Sequence, residues 1–208
     1  MLKPYHIEIC KRALGNIFSP RALDTIITAN IGQDRVRYQF KHPHFHFDSD
    51  AFEASNKYIN EQRKIVLGIN KSTEYLQSSW QAFGRITHVV QDFYAHSNYI
   101  QLWINALSNG NITTPQQVNP LDTKTLQHPK LHSGKINFWD WLAFIPGFYP
   151  LARYLTPEDS HTHMNLDHPG RGPLFPYAIE AAVKRTDLEY VQIADRLGST
   201  KLAYFRDI

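Results

Sequence analysis

The segment THVVQDFYAHS, residues 87–97, sets His88, Asp92 and His96 at intervals of four residues. Side chains four apart stack on one face of an α-helix, so the three form a single stripe. A helical rise of about 1.5 Å per residue separates the two imidazoles by about 12 Å along the axis. A zinc–nitrogen bond is only about 2 Å long, so one ion would strain to bridge both. His88 with Asp92, and His96 separately, suit two neighbouring ions. The expectation is a polymetal site rather than a satisfied polar stripe between helices.

Other donors are available to complete such a site. HTHMNLD, residues 161–167, offers His161, His163 and Asp167. His163 and Asp167 have the four-residue spacing of a helix, whereas His161 serves equally well in an irregular segment, so both histidines stay open. HPHFHFD, residues 42–48, puts His42, His44 and His46 on one side if extended. Asp34 closes the second helix and His6 sits at the start of the first. His128, His132 and His168, in proline-containing loops, read as solvent-facing. Cys10 is the only cysteine among 208 residues that include eleven histidines. It excludes both an internal disulfide and a thiolate zinc cage. Imidazole and carboxylate must therefore hold any metal.

These donors need a scaffold, and the apolar periodicity supplies helices. Ile7, Ile9, Cys10, Ala13, Leu14 and Ile17 mark the first. Ser19-Pro20 caps and starts a second with Ala22, Leu23, Ile26, Ile27 and Ile31. Residues 35–48 read as an irregular loop. Ser49 or Asp50 caps a third helix carrying Phe52, Tyr58, Ile59 and Ile65. Ser72-Thr73-Glu74 opens the fourth, which bears the donor stripe and resumes after a break as Trp103 to Leu107. Prolines and glycines between 109 and 160 predict long excursions with short helices at most. A last helix from Pro176 carries Ile179, Ala182, Val183, Leu188 and Val191, with Gly198 as its terminator. The fold class is all-α, one domain spanning residues 1–208.

The formal charge of +3 and pI near 8.9 are compatible with phosphate-bearing substrates but fall short of a dedicated nucleic-acid binder. Met1 to Pro20 lacks the basic and apolar regions of a secretory signal. The chain is thus expected to be cytosolic, exported by another route, or a processed form. No run of eighteen apolar residues predicts a transmembrane span.

The order His6, Asp34, His46, His88-x3-Asp92-x3-His96, His161 or His163, Asp167 resembles the zinc-dependent phospholipase C and P1-type nuclease superfamily. AFGRITHVVQDFYAHSNYI is most similar to its branch of fungal heterokaryon-incompatibility (Het-C-like) proteins, and HIEICKRAL, NIGQD and HFHFD resemble other landmarks of that branch. The resemblance spans residues 5–168. It implies an all-α bundle with two to three zinc ions. One ion would take Asp34, His46, His88 and Asp92. A second would take His96, Asp167 and His161 or His163. A third would share Asp92 with His6 and an N-terminal amine. The implied activity is phosphodiester hydrolysis by a metal-activated water, phospholipase C-like, with Asp34 as the proton acceptor. A single-strand nuclease and a non-catalytic metal-binding interaction protein are the alternatives.

No Gly-x-Ser-x-Gly elbow competes with this chemistry. The substrate turns on residues 137–154, NFWDWLAFIPGFYPLARY, with Phe138, Trp139, Trp141, Phe144, Phe148 and Tyr149. They read as an anchor for peripheral contact with phospholipid, as a base-stacking platform, or as a buried cap. Lys130, Lys135, Arg153 and Arg171 lie close in sequence and could receive phosphate.

Overall fold

The computed structural model describes residues 1–35, 42–107, 113–145 and 147–208. Residues 36–41 of the expected loop, and Gly110 with its neighbours, lie outside the described residues. The chain is mostly helical, and the described residues contain no strand, only two isolated bridges. The all-α class is therefore the observed one. The described residues form nine α-helices: α1 (Lys3–Leu14), α2 (Pro20–Ile31), α3 (Phe52–Leu67), α4 (Thr73–His96), α5 (Tyr99–Leu107), α6 (Thr123–Leu126), α7 (Tyr149–Leu155), α8 (His161–Met164) and α9 (Phe175–Arg206). No helix among the described residues is long and apolar enough to cross a membrane.

The bundle is organised around α4. Every residue from Ile86 to His96 is buried, as expected for a helix enclosed on all sides. Its main neighbours are α2, α3 and α9. Phe83, Ile86, Val89 and Val90 meet Ile9, Ile26, Ile59 and Ala178 in one core. That surround holds the donor stripe rigidly and dry, which strengthens electrostatic interactions along it.

Gly84 sets the approach of α2 to α4. A Cβ there would collide with the Ile26 carbonyl oxygen and lie 2.9 Å from the Ala29 Cβ. Both neighbours belong to a helix that cannot yield locally. Gly84→Ala should therefore destabilise by about 1–3 kcal/mol, lowering the melting temperature by roughly 3–10 °C for a chain of this size. A thermal melt followed by circular dichroism checks this, and an unchanged midpoint would refute the close-approach argument.

Helix starts and stops follow the sequence in part. Ser19 caps α2 as expected, its Oγ accepting from the Ala22 N–H at 3.2 Å. Ser49 and Asp50 do not cap α3, which begins after Ala51. Both instead adopt left-handed φ values of 55° and 56° and bind the 133–136 loop. Asp50 accepts from the Ser133 N–H at 2.7 Å, and Ser49 Oγ from the Ile136 N–H at 3.1 Å. Gly198 does not terminate the last helix either. Its φ of 68° makes a kink, beyond which helix resumes to Arg206. Phe205 then packs on Phe18 and Phe83, a tertiary contact that prolongs the helix past its local stop signal.

Candidate metal centre

Asp92 stands at the middle of the donor stripe with no solvent exposure. Its Oδ1 accepts from the Met1 amine at 2.7 Å and lies 3.2 Å from His6 Nε2. Its Oδ2 lies 2.8 Å from His46 Nδ1 and 3.1 Å from His88 Nε2. His96 Nε2, one turn along, is 3.9 Å from Oδ1. One carboxylate thus touches donors brought by α1, α4 and the 42–48 segment.

Two groups of ligand atoms, each within 4.8 Å of one another, lie along this axis. His6, Asp34, His88 and Asp92 form the first, and Asp48, His96 and His161 the second. His46 bridges them: its Nδ1 is 3.1 Å from His88 Nε2, and its carbonyl accepts from His96 Nδ1 at 3.0 Å. Asp167 Oδ1 lies 3.1 Å from His96 Nε2 and 2.9 Å from the Met1 amine, and its Oδ2 is 4.0 Å from His161 Nε2.

The structure therefore gathers His6, Asp34, His46, His88, Asp92, His96, His161 and Asp167, all named from sequence. It does not gather His163, whose Nε2 donates to the Arg153 carbonyl at 2.8 Å, outside both groups. The expected partition also shifts, because His6 rather than His46 completes the first group. Asp48 was missed. It is buried, and its Oδ1 lies 2.9 Å from His161 Nδ1 and 3.3 Å from His96 Nδ1. The alternation that drew attention to His46 runs on to Asp48, and was the signal available. His42 and His44 sit in an aromatic cluster with Phe45 and Tyr58 instead.

Whether this donor set suits a cation is decided by its lone pairs. Gln91, on α4, donates through Nε2 to Thr186 Oγ1 at 3.1 Å, which leaves Oε1 as an acceptor. His6 Nδ1 must then donate to that oxygen, at 2.6 Å. Its Nε2 is left with a lone pair facing the Asp92 carboxylate, both buried. Two acceptors 3.2 Å apart repel unless a cation or proton lies between them. His6 Nε2, His46 Nε2, His88 Nδ1 and Asp34 Oδ2 are all buried without a hydrogen-bond partner. Such orphaned groups are costly in a protein interior. The outer hydrogen bond that His6 Nδ1 donates to Gln91 fixes the His6 tautomer in the way ligating histidines require. The residues present fit a divalent cation.

Charge points the same way. Asp34, Asp48, Asp92 and Asp167 converge, and no lysine or arginine pairs with them among the described residues. Burial alone would raise the Asp48 pKa, but His161 and His96 outweigh it and hold the carboxyl well below its ordinary range. Burial and the Met1 amine oppose protonation of His96, yet Asp48 and Asp92 raise it well above an ordinary imidazole. Burial lowers His88 to about 4, against the pull of Asp92 and Asp34. Protons thus occupy some positions where a cation would neutralise the acids.

The cluster floors a cavity of about 380 Å³, reached past Leu2, Lys3 and Ile136. Beside it, Phe138 is 74% exposed, and Trp139, Trp141 and Phe148 are also exposed. These four do not form the buried cap that was one reading of the insertion. Asp140 is structural, accepting from the Asn137 N–H at 2.6 Å and the Thr162 N–H at 2.8 Å. It ties the insertion to α8, and so to His161. Lys135 is paired with Asp159 at 2.7 Å.

Comparison with known proteins corrects the family resemblance. Residues 8–128 match a family model described as the VWA7 N-terminal domain. Over 99 residues the chain is 30% identical to von Willebrand factor A domain-containing protein 7 of Rattus norvegicus, covering 46% of this chain and 11% of that protein. The match therefore spans about a tenth of the relative's length. No solved structure matches. The phospholipase C and P1 nuclease superfamily, with its Het-C-like branch, is not the family found, so that resemblance no longer carries ligand roles or a bundle type. The matched residues contain Asp34, His46, Asp48, His88, Asp92 and His96, whereas His6, His161 and Asp167 lie outside them.

Proposed function

We propose that this chain, which belongs to the VWA7 N-terminal domain family, is a metal-dependent phosphodiester hydrolase whose cluster holds two to three zinc ions. The observation that carries the reading is the His6 lone pair aimed at the Asp92 carboxylate in a dry site that opens on a cavity. His6, Asp34, His88 and Asp92 would hold one ion, and Asp48, His96 and His161 another, with His46 and Asp167 beside them. Bound divalent cations would supply Lewis acidity toward a phosphoryl oxygen and make water a stronger acid.

The side chains have separable tasks. Asp34 lines the cavity, and its buried Oδ2 has no hydrogen-bond partner, which suits it to accept the proton of the attacking water. His161, held by Asp48 at 2.9 Å, packs against His96 of the α4 stripe and would complete the second ion's ligands. Leu2 and Ile136 give the cavity apolar walls and exclude water from the acids. The exposed Phe138, Trp139, Trp141 and Phe148 favour a phospholipid substrate met at a headgroup interface. Single-stranded nucleic acid, stacked on the same rings, is the alternative substrate.

Metal analysis of the purified chain, then a chelator-reversible assay on phosphatidylcholine vesicles and on single-stranded nucleic acid, tests this. Asp34→Asn keeps an amide oxygen beside His6, His88 and Asp92, so at saturating zinc it is expected to retain metal while turnover falls about 10²–10⁴-fold, the usual worth of a general base. Protein that carries zinc and cleaves neither substrate would mean that the ions serve structure or partner binding only.

A further inference from the structure

A second cavity, of about 190 Å³, lies beside α8 and is lined by Tyr149, Arg153, His163, His168, Gly170 and Arg171. Its lining holds two guanidiniums and two imidazoles but no carboxylate. None of the metal-site donors contributes to it.

Arg171 is the informative member. Its Nη1 donates to the Tyr149 hydroxyl and, at 3.2 Å, to the Thr162 carbonyl. The guanidinium carbon lies 4.3 Å from the Tyr149 ring centroid. Among the described residues it pairs with no acid, and its buried Nε has no hydrogen-bond partner. Burial alone, without a compensating acid, lowers its pKa to about 10. A half-buried guanidinium is ordinarily matched by a carboxylate or an oxyanion ligand. Arg153, exposed on α7, likewise has no ion-pair partner among the described residues. His168 Nδ1 accepts from the Gly170 N–H at 3.1 Å, which leaves Nε2 to carry the proton as a donor.

We propose that this cavity is an oxyanion site, distinct from the metal cluster, that takes a phosphate-class group between Arg153 and Arg171. The fork of a guanidinium matches such a group in bidentate fashion. α7 also presents exposed Leu151 and Tyr154 beside Arg153. The phosphate could thus come from a lipid headgroup or from solution, and the experiment separates the two.

Calorimetric titration with inorganic phosphate, on the purified full chain, reads the site directly. Arg153→Ala alters an exposed side chain and should keep the wild-type melt. It should weaken phosphate at least about tenfold, the worth of one charge-assisted hydrogen bond. Arg171→Gln should do the same, and Asp48→Asn in the metal cluster should not. Sedimentation with phosphatidylcholine vesicles, with and without phosphatidate, assigns the source. Capture that needs both phosphatidate and Arg153 identifies a headgroup, and phosphate binding without vesicle capture identifies a soluble phosphate. Both results support the site. Absence of all binding overturns it, as does phosphate binding that ignores Arg153→Ala and Arg171→Gln but is lost in Asp48→Asn.

Discussion

Asp92→Asn is expected to empty the metal cluster and to reduce phosphodiester turnover by roughly 10³-fold, the scale of losing one preorganised charge at a reacting centre. The side chain contacts the Met1 amine, His6, His46 and His88 within 3.2 Å. An amide keeps its shape but removes the negative charge that all these groups share. It also turns one oxygen into an NH₂ donor aimed at nitrogens, two of which, on His6 and His88, are candidate ligand atoms. Both halves of the cluster should lose occupancy together. Elemental analysis beside steady-state kinetics checks the result, and a variant with full metal content and normal rate would refute a bridging role for Asp92.

The second large effect is on stability. Four carboxylates and five imidazoles packed in a dry space repel or go unpaired when no cation neutralises them. An ion present at a thousand times its dissociation constant stabilises by about 4 kcal/mol, which for this chain length is roughly 8–16 °C in melting temperature. Chelation should produce that drop, and added zinc should reverse it. Metal affinity should also weaken with acid, because the ligands must be deprotonated. In the chelated protein His88 adds its own dependence. Burial moves it from 6.5 to about 4, so the fold favours the neutral ring. That contribution is complete above about pH 6.5 and is lost as pH falls toward 4. Denaturant midpoints measured across that window check it, and His88→Gln should flatten the slope.

How much of this could be read from the chain depends on whether local rules or distant contacts decide each feature. The α4 stripe was legible because four-residue spacing fixes a face wherever a helix forms. The Ser19-Pro20 start was legible because capping is local. Gly198 misled because the packing of Phe205 against Phe18 and Phe83 is a tertiary matter. Ser49 and Asp50 misled because their partners, Ser133 and Ile136, lie more than eighty residues on. The choice between His161 and His163 depended on Asp140 holding the Thr162 amide, which aims one imidazole at Asp48 and leaves the other with Arg153. Asp48 was not legible although it alternates with His46, because its partners His96 and His161 lie far along the chain and no local rule marks it.

The donors of the two groups run from His6 to His161, most of the chain. Met1 is 91 positions from Asp92, and His161 is 113 from Asp48. Contacts of such long sequence separation form slowly and late, after local helices. A nascent polypeptide that has left the ribosome only through α4 carries the first donor group entire but lacks His161 of the second and Asp167 beside it. Filling of the second group by refolding protein should therefore keep time with the slowest global phase, long after helical signal has returned.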